Sequence, residues 1–495
     1  MERRSRRRFL EDSLALLTVS ALPLEGARAS TPRPVKRKAW ASERIRVAVV
    51  GFRSRGMSHV EAYTGMPDVE IVALCDADTA VFPRALKAIE TAGRPAPQTH
   101  QDIRRVLDDK SIDAVSIATP NHWHALASVW AMQAGKDVYV EKPISHNVTE
   151  GRRIVQAARR YNRICQAGMQ SRSNKGMQEA MAYLHGGQLG KVRLARGLCY
   201  KTRRSIGKVD GDQAPPATVD YDLWLGPAPV TPVHRRQFHY DWHWLWDYGN
   251  GDLGNQGVHE MDKARWGLGQ RGMPLSVIQL GGRFGYVDDG QTPNTSVTVF
   301  DYGDSELIFE VRGLVEPEPP GRSERDWLKI APNEYKVGNI FYGEKGVMVS
   351  PNYASAVVFD NDGNPVTSFK GDGDHFRNFI DTMRTGRHTD LAADCEEGHL
   401  SAALCHLGNI SYLRGVNVPF NPRTGAFGDD REAMETFGRF EEHLASNGLT
   451  LNSETYRLGK RLRVDPRREC LVGDRAANQL LTREYRKGFE VPGRP

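Results

Sequence analysis

The sequence predicts an α/β protein in which a parallel, nucleotide-binding sheet comes first and an open, mostly antiparallel sheet comes second. The first half alternates apolar, β-branched runs with helical segments, a pattern that builds a parallel sheet through right-handed crossovers. The second half holds several short β-rich runs with fewer helices between them. The chain has 495 residues, of which 39% are hydrophobic, so it is long enough for more than one domain.

The predicted strands and helices alternate most regularly in the first half of the chain. Strands are expected over 45–51, 69–75, 114–118, 137–140 and 164–168, with helices up to Gly65 and over 79–92, 121–135 and 149–161. Further strands are expected over 192–200, 277–284, 296–301 and 306–312, and helices over 374–385 and 395–413. Residues 316–325 contain three prolines and are typical of an inserted loop.

The first 29 residues form a predicted export signal. Ser5-Arg6-Arg7-Arg8-Phe9-Leu10 precedes an apolar stretch over 14–24, and Ala27-Arg28-Ala29 offers small residues for cleavage. Paired arginines before Phe-Leu resemble a twin-arginine (Tat) signal, which exports folded proteins. We therefore expect the Tat machinery as a partner, a periplasmic or exported location, and a flexible linker over 30–43.

The net charge argues against a nucleic-acid-binding protein, and the cysteine spacing argues against a metal or redox site. The formal net charge is only +6, and the basic residues are interspersed with acidic ones, so nucleic acid is not an expected partner. None of the six cysteines forms a Cys-x-x-Cys pair, and we expect buried free thiols.

The turn after the first strand is the predicted nucleotide-phosphate site. Gly51 and Gly56 hold the outer glycine positions of such a turn, while Arg53 stands where the middle glycine is usual. Asp76 comes directly after the second strand, where an acidic residue accepts hydrogen bonds from the adenine ribose and repels a 2′-phosphate. NAD is therefore expected over NADP. Arg53 or Arg55 would instead pair with the 2′-phosphate and favour NADP. A simple turn or a helix cap also explains an aspartate at position 76.

Three further motifs carry a family resemblance. Thr119-Pro120-Asn121-His122-Trp123-His124 comes first, Glu141-Lys142-Pro143 ends a strand, and Gly251 to Asp262 (GDLGNQGVHEMD) comes last. Their order resembles the Gfo/Idh/MocA (glucose–fructose oxidoreductase/inositol dehydrogenase) family over about residues 44–420, and Thr482-Arg483-Glu484-Tyr485-Arg486 looks like members with Tat signals. The resemblance implies an N-terminal Rossmann domain, a C-terminal α/β domain on a mostly antiparallel sheet, a nicotinamide nucleotide and a sugar or cyclitol substrate.

That resemblance also sets the expected domains and cofactor contacts. The Rossmann domain is placed at 44–165, the substrate-binding and oligomerisation domain at 166–420, and a C-terminal extension at 421–495. A homo-oligomer is expected. The residues expected at the cofactor are Gly51, Arg53, Arg55, Gly56, Asp76, Thr119, Pro120, Asn121, His124, Glu141, Lys142 and Arg172.

Lys142 and His259 are the predicted catalytic pair. Oxidising a secondary alcohol requires a proton acceptor and a donor or cation near the oxygen. Lys142 can supply the cation, and His259 titrates near working pH. Asp262, three residues later on a helix, is expected to orient His259. Asn255 stands where many members of the family have aspartate, and an amide can bind a hydroxyl but cannot act as a base.

A tryptophan-rich segment precedes this motif. Trp242, Trp244 and Trp246 alternate, so an extended segment would place them on one face, where they can bind a sugar. Core packing explains them equally well. The expected substrate contacts are Lys142, Trp242, Trp244, Asn255, His259 and Asp262. No metal is expected, because His239, His243 and His259, the candidate ligands, lack a fuller ligand set.

The predicted function is therefore NAD-dependent hydride transfer to or from a secondary alcohol of a sugar, glycoside or cyclitol. One alternative keeps NAD permanently bound and recycles it during glycoside cleavage or internal oxidoreduction, which export favours. The other is a non-catalytic binding protein in which NAD is structural, consistent with Asn255.

Overall fold

The first sheet is parallel throughout and lies in the first half of the chain. A computed structural model describes residues 44–315 and 337–493. The predicted signal, the linker and the inserted loop over 316–325 lie outside the described residues. The sheet order is β3-β2-β1-β4-β5-β6. The strands are β1 (Ile45–Val50), β2 (Val69–Cys75), β3 (Gln98–His100), β4 (Ala114–Ile117), β5 (Asp137–Val140) and β6 (Cys165–Ala167).

Helices cover both faces of this sheet, which explains why its strands are apolar on both sides. The helices of this half are α1 (Arg55–Gly65), α2 (Phe82–Thr91), α3 (Ile103–Asp108), α4 (Asn121–Gln133) and α5 (Val148–Arg160). The expected helix over 79–92 divides into a 3₁₀ turn, Thr79–Val81, and α2, with Pro83 in the first turn of α2. Its entry is set by Asp78, whose side chain accepts a hydrogen bond from the Ala80 amide.

The second sheet is mostly antiparallel, as predicted. Its order is β14-β13-β12-β11-β7-β10-β9-β8-β16-β15, and β17 pairs with β8 and β18. Only the β7–β10 pair is parallel among the strands of this sheet that the structure describes. Its strands are β7 (Leu194–Cys199), β8 (Ser276–Gly282), β9 (Thr295–Asp301), β10 (Glu306–Arg312), β11 (Val337–Gly343), β12 (Gly346–Ser350), β13 (Ser355–Phe359), β14 (Pro365–Lys370), β15 (Val416–Pro419), β16 (Thr455–Leu458), β17 (Leu462–Asp465) and β18 (Cys470–Leu471).

The helices of the second half connect the two sheets. They are α6 (Gln170–Ser173), α7 (Lys175–His185), α8 (Tyr221–Leu225), α9 (Val258–Gly267), α10 (His375–Thr385), α11 (Cys395–Leu413), α12 (Arg431–Ser446) and α13 (Arg475–Gln479). Phe376 and Phe379 of α10 pack in the core on one side of the first sheet, and α11 packs on the other. No helix of residues 44–315 and 337–493 is long and apolar enough to cross a membrane.

The segment 421–493 is built into both halves of the molecule. Its strands β16 and β17 pair with β8, so they extend the second sheet. Further on, Phe489 packs edge-on against Trp123 of α4, with ring centroids 5.8 Å apart. The chain thus returns through this segment to the half that holds the first sheet.

Candidate functional site

The main cavity lies at the carboxyl ends of β1, β2, β4 and β5, where nucleotide sites form in open parallel sheets. Its volume is about 330 Å³. Residues from the second half close it over the strand ends. Its lining includes Gly51, Arg53, Arg55, Asp76, Thr119, Pro120, Asn121, His124, Glu141, Lys142, Tyr240, Trp242, His243 and Asn255.

Gly51 and Gly56 shape the turn that begins this cavity. Gly51 has φ +77°, and a Cβ there would lie 2.7 Å from the Thr119 amide nitrogen. A Cβ on Gly56 would lie 2.0 Å from the Gly51 carbonyl oxygen. Both positions therefore exclude a side chain. Arg53, in the middle position, is exposed and lines the cavity, so the turn tolerates a side chain there.

Asp76 lies at the end of β2 and faces the same turn. Its carboxylate accepts hydrogen bonds from the backbone amides of Phe52, at 3.1 Å, and Asp78, at 3.0 Å. Burial is the largest influence on this carboxyl and raises its pKa to about 6. An acceptor so placed is suited to a ribose hydroxyl, which would replace part of the lost solvation.

Arg55 and Glu141 form an ion pair beneath the cavity. The Arg55 Nε donates to Glu141 Oε1 at 2.8 Å, and His59 Nε2 lies 3.2 Å from the same oxygen. These partners hold the pKa of the Glu141 carboxyl well below its usual value despite its burial. Arg55 is therefore engaged by Glu141, which leaves Arg53 as the better placed of the two arginines for a 2′-phosphate.

The loop from β4 to α4 is held by His124. Its two ring nitrogens lie 2.6 Å from the Pro143 carbonyl oxygen and 2.8 Å from the Thr119 carbonyl oxygen. His124 thereby ties this loop to the loop after β5. Pro120 precedes the first residue of α4, Asn121, whose side-chain amide donates to Asn250 Oδ1 at 3.1 Å.

Lys142 contributes its ammonium group to the main cavity. Its ammonium donates to the Asn255 carbonyl oxygen, and Asn255 itself lines the cavity. Burial lowers the pKa of Lys142, against the opposing effect of the Glu141 and Glu260 carboxylates. Asn255 belongs to a π-helical turn, Leu253–Gly257, that leads into α9. Such turns occur often at functional sites, and the apolar pattern of the sequence did not signal this one.

His259 lies in the first turn of α9 and is buried. Its ring packs against Tyr353, with centroids 5.0 Å apart. Burial and the charge of Lys142 together hold the pKa of His259 well below its usual value, so the ring is neutral at pH 7. His259 is not among the described residues that line the main cavity.

Arg172 and Asp262 form a buried ion pair with each other. The Arg172 Nε lies 2.9 Å from Asp262 Oδ2, and Ser401 donates to Asp262 Oδ1 at 2.6 Å. Neither Arg172 nor Asp262 is among the described residues that line the main cavity. Their expected roles, Arg172 at the cofactor and Asp262 in orienting His259, stay predictions. A buried carboxylate requires a cation, and Arg172 satisfies it in a forked geometry.

The tryptophan-rich segment is wrongly predicted as extended. Asp241–Trp244 is a 3₁₀ turn, which sends neighbouring tryptophans in different directions. Trp242 lines the main cavity, whereas Trp244 packs under the Arg203 guanidinium, 5.1 Å from the ring centroid. Trp246 lies at a second cavity, on the far side of Asn250.

His243 lines the main cavity, although the sequence motifs did not single it out as a catalytic residue. Its ring stacks on Trp242, with centroids 3.7 Å apart and an interplanar angle of 20°. The Nδ1 atom lies 2.6 Å from the Tyr240 carbonyl oxygen, which can only accept, so Nδ1 carries the proton and Nε2 is left as an acceptor. Burial lowers the pKa of His243 to about 3.

A metal site is not supported by the geometry of the three histidines. His239 Nε2 lies 2.8 Å from Asp78 Oδ2, which binds it as an ordinary hydrogen-bond partner. Within residues 44–315 and 337–493, no group of three or more His, Cys, Asp or Glu side chains is arranged to hold a metal ion.

Two family models match the chain in order. Residues 45–169 match the oxidoreductase family model with an NAD-binding Rossmann fold, and residues 188–280 match the C-terminal alpha/beta domain model of the same family.

Curated relatives match this chain over 141 to 190 residues. The chain is 34% identical over 190 residues to the alpha-N-acetylgalactosaminidase of Shewanella oneidensis, covering 36% of this chain and 41% of that protein. It is 37% identical over 143 residues to the glycosyl hydrolase family 109 protein 1 of Shewanella sp. strain MR-4, covering 28% and 31%. The chain thus spans less than half the length of these relatives.

Solved structures share the fold over a longer span. The WlbA dehydrogenase from Bordetella pertussis, in complex with NADH and UDP-GlcNAcA, is 20% identical with a TM-score of 0.52, covering 74% of this chain and 95% of that one. A levoglucosan dehydrogenase in complex with NADH and L-sorbose is 17% identical with a TM-score of 0.54, covering 74% and 96%. With both domain models matched in order and the parallel sheet succeeded by a mostly antiparallel one, residues 45–169 and 188–280 belong to the Gfo/Idh/MocA family of NAD-binding oxidoreductases.

Proposed function

We propose that this protein transfers hydride between NAD and a secondary alcohol carbon of a sugar, glycoside or cyclitol. The observation that carries the proposal is the position of the Lys142 ammonium. It enters the main cavity at the carboxyl end of β5 and meets Asn255 from the second half. A cation beside hydroxyl-binding and proton-accepting side chains is what alcohol oxidation requires.

The main cavity fits a nicotinamide nucleotide. The turn at Gly51 allows close approach of a pyrophosphate, and Asp76 offers an acceptor to the ribose. The buried Thr119 Oγ1 has no hydrogen-bond partner among the residues that the structure describes, so it is available to a ligand. Bound there, the nicotinamide would supply hydride acceptance or donation, with Arg53, Thr119 and Asn121 as further contacts.

Lys142 would hold the reacting oxygen, and a histidine would take its proton. We propose His259 for that role because its ring is neutral and its pKa responds to Lys142. His243 is the second candidate, because it lines the cavity and leaves its Nε2 as an acceptor. Asn255 and Trp242 are the proposed contacts for substrate hydroxyls and for an apolar sugar face.

A preference for NAD over NADP is proposed from Asp76. Its carboxylate accepts hydrogen bonds from ribose hydroxyls and repels a 2′-phosphate. Arg53 opposes this preference, since it is exposed at the same cavity. Competition between NAD and NADP for the cofactor-free protein tests the balance, and tighter binding of NADP would contradict the proposal.

Glycoside cleavage with permanently held NAD is the second candidate. The curated relatives favour it, since they are named as glycosyl hydrolases or as an alpha-N-acetylgalactosaminidase. In that reaction, bound NAD would take hydride from one sugar carbon, and the resulting ketone would acidify the neighbouring C–H. Loss of that proton and of the glycosidic group would leave an unsaturated ketone, to which water would add before the hydride returned from NADH to the ketone carbon.

One experiment separates these candidates from a purely structural role for NAD. The purified protein is denatured and the released nucleotide quantified, and the intact protein is then given NAD with sugars, cyclitols and chromogenic glycosides. NADH accumulation indicates a dehydrogenase, and aglycone release without NADH indicates cleavage. Bound NAD with neither activity supports the binding protein, and failure to bind any nucleotide contradicts all three.

Self-association is a separate proposal. The outer face of β14 is largely exposed, and a homo-oligomer would cover part of the second sheet. Light scattering of the purified protein measures the mass, and a monomer at micromolar concentration would contradict this proposal.

A further inference from the structure

One end of the main cavity is closed by a wall that comes from the second half of the chain. This wall is the short helix α8, whose Leu223 and Trp224 line the cavity together with Ile103. The three apolar side chains lie beside Asp76, where the adenosine of a dinucleotide would be held. We call this part of the cavity the adenosine end. The position of α8 sets how closely the adenosine end can fit a nucleotide.

Helix α8 is held by side chains of other elements. It has only five residues, too few for a helix to be stable without packing. Trp123 Nε1 donates to the Leu223 and Trp224 carbonyl oxygens at 3.0 and 3.1 Å. His122 Nε2 lies 2.9 Å from the same Trp224 oxygen. The place of α8 therefore depends on its neighbours.

The C-terminal tail, which we define as residues 482–493, supplies a further donor to α8. Arg486 Nε donates to the Gly226 carbonyl oxygen at 2.8 Å, and Arg486 Nη2 donates to the Asp222 carbonyl oxygen at 3.0 Å. Carbonyl groups at the end of a helix lack partners within the helix, and a basic side chain can satisfy them. Because a guanidinium is a rigid planar fork, Arg486 also fixes the two carbonyls relative to each other.

The ion pair between Arg486 and Asp222 is the weaker part of this contact. Arg486 Nη1 lies 2.7 Å from Asp222 Oδ1, but the Asp222 side chain is 72% exposed, whereas that of Arg486 is 12% exposed. Exposed ion pairs contribute little to stability, because solvent screens them. Arg486 therefore acts on α8 chiefly through the two backbone carbonyls.

Phe489 holds Arg486 in this position. Its ring centroid lies 4.6 Å from the guanidinium carbon, and the ring packs edge-on against Trp123 at 5.8 Å. Gly226 is fitted to the same joint, because a Cβ there would lie 2.2 Å from Trp123 Cε2. A shift of α8 away from the cavity would therefore break the contacts that the tail makes with it.

We propose that Arg486 is a positioning residue for the nucleotide, because it holds α8 against the adenosine end. This inference rests on the proposed NAD site and gives the C-terminal tail a role in cofactor affinity. Arg486 is not among the described residues that line the main cavity, so it acts through Leu223 and Trp224. Because coupling between two sites is reciprocal, bound nucleotide also stabilises the contact between the tail and α8.

Calorimetry on the full chain, freed of nucleotide, compares NAD with ADP-ribose, which has the same adenosine and no nicotinamide. Arg486→Gln should weaken both ligands by about tenfold, because it removes hydrogen bonds from a charged donor. The two factors should be equal, since only the adenosine end is disturbed. Unchanged affinity, or a loss confined to NAD, would overturn the positioning role.

Two further variants separate the fork from the charge. Arg467→Gln removes an arginine at an exposed position and should bind both ligands like the original protein. Arg486→Lys keeps the charge without the fork and should restore only part of the lost affinity. Full recovery would assign the effect to the Asp222 ion pair and overturn the role of the carbonyls.

The outcome for the original protein distinguishes this inference from the proposed function. If the original protein binds neither NAD nor ADP-ribose, the proposed NAD site fails and this inference fails with it. If the original protein binds both ligands and Arg486→Gln binds them equally well, only the positioning role fails.

Folding of the variants is checked by far-UV circular dichroism. If Arg486→Gln does not fold, hydrogen exchange of the original protein decides the matter. ADP-ribose should slow amide exchange in residues 222–226 and in residues 486–489 together. Protection of residues 222–226 without protection of residues 486–489 would show that the tail is not coupled to the nucleotide, which overturns the inference.

Discussion

At the scale of single residues, Asp76 is a partly buried carboxylate that accepts hydrogen bonds from two backbone amides. Its pKa of about 6 means that the free protein binds a proton there just below neutral pH. Ribose hydroxyls would stabilise the carboxylate and lower that pKa again. NAD binding should therefore release a proton near pH 6 and weaken about tenfold between about pH 7.5 and pH 5.

Protonation of Asp76 has the opposite effect on folding. It weakens NAD binding, but it stabilises the folded form of the nucleotide-free protein. Because the folded pKa of Asp76 is raised, its contribution to stability is present below the unfolded pKa and is lost as pH rises through about 6. Isothermal titration in buffers of different ionisation enthalpy measures the released proton. The Asp76→Asn variant is the control, and a pH dependence that persists in it would assign the proton to another group.

Turnover measurements on variants distinguish the roles of Lys142, His259 and His243. Lys142→Met and His259→Ala should each lower kcat by ~10²–10⁴-fold, because each removes a group that acts on the same proton. The double variant should lose much less than the product of the single losses. NAD affinity should stay nearly unchanged in His259→Ala. A larger loss in His243→Ala than in His259→Ala would move the base to the residue that lines the cavity.

At the scale of elements, two glycines of helix α1 provide a test variant and its matched control, Gly56 and Gly65. A methyl group on Gly56 would meet the Gly51 carbonyl oxygen at 2.0 Å, whereas one on Gly65 would meet nothing within 4 Å. Gly56→Ala should therefore displace the turn and weaken NAD by ~10-fold or more, since the cost of an overpacked site is typically ~1–3 kcal/mol. Gly65→Ala should bind NAD like the original protein, and equal affinity in both variants would show that the turn does not contact the nucleotide.

The regular elements were predictable because their sequence patterns are local. β2, β5, β10 and α11 have the expected bounds, since β-branched runs and helical apolar periods fix them without distant contacts. The short β3 was missed because its three residues, Gln98–His100, are polar and partly exposed. Its place in the sheet comes from pairing with β2.

The sequence locates residues at the main cavity only where they follow directly after a strand. Gly51, Asp76 and Lys142 lie at the main cavity, as their positions at strand ends indicate. The Arg172–Asp262 pair joins residues 90 positions apart, and no local pattern reveals that contact. The π-helical turn at Asn255 and the 3₁₀ turn at Trp242 likewise depend on tertiary packing, which overrides the local alternation of the sequence.

At the scale of the whole molecule, export is a prediction from residues outside the described part of the chain. Replacing Arg6 and Arg7 with lysine should leave a full-length precursor in the cytoplasm, because the Tat machinery reads the arginine pair. Fractionation and then immunoblotting measure the distribution. Equal export of the double-lysine variant and of the original protein would rule out the Tat route.

The packing of Phe489 should control the stability of the nucleotide-binding half. This ring is 7% exposed and contacts Trp123 and Trp130 of α4. Phe489→Ala should lower the free energy of unfolding by about 3 kcal/mol, the usual cost of deleting a buried aromatic ring. Denaturant unfolding measures the change. Val287→Ala removes an 80% exposed side chain and should be neutral, and equal effects of the two would contradict the packing argument.

The return of the chain to α4 also fixes an order of events during synthesis. Helix α4 leaves the ribosome hundreds of residues before Phe489 and Arg486, yet Arg486 donates to the Gly226 carbonyl oxygen and Phe489 covers Trp123. A nascent or prematurely terminated chain therefore exposes these tryptophans to chaperones and proteases. A chain that ends before Phe489 lacks this ring and leaves more of the Trp123 surface exposed than the folded protein does.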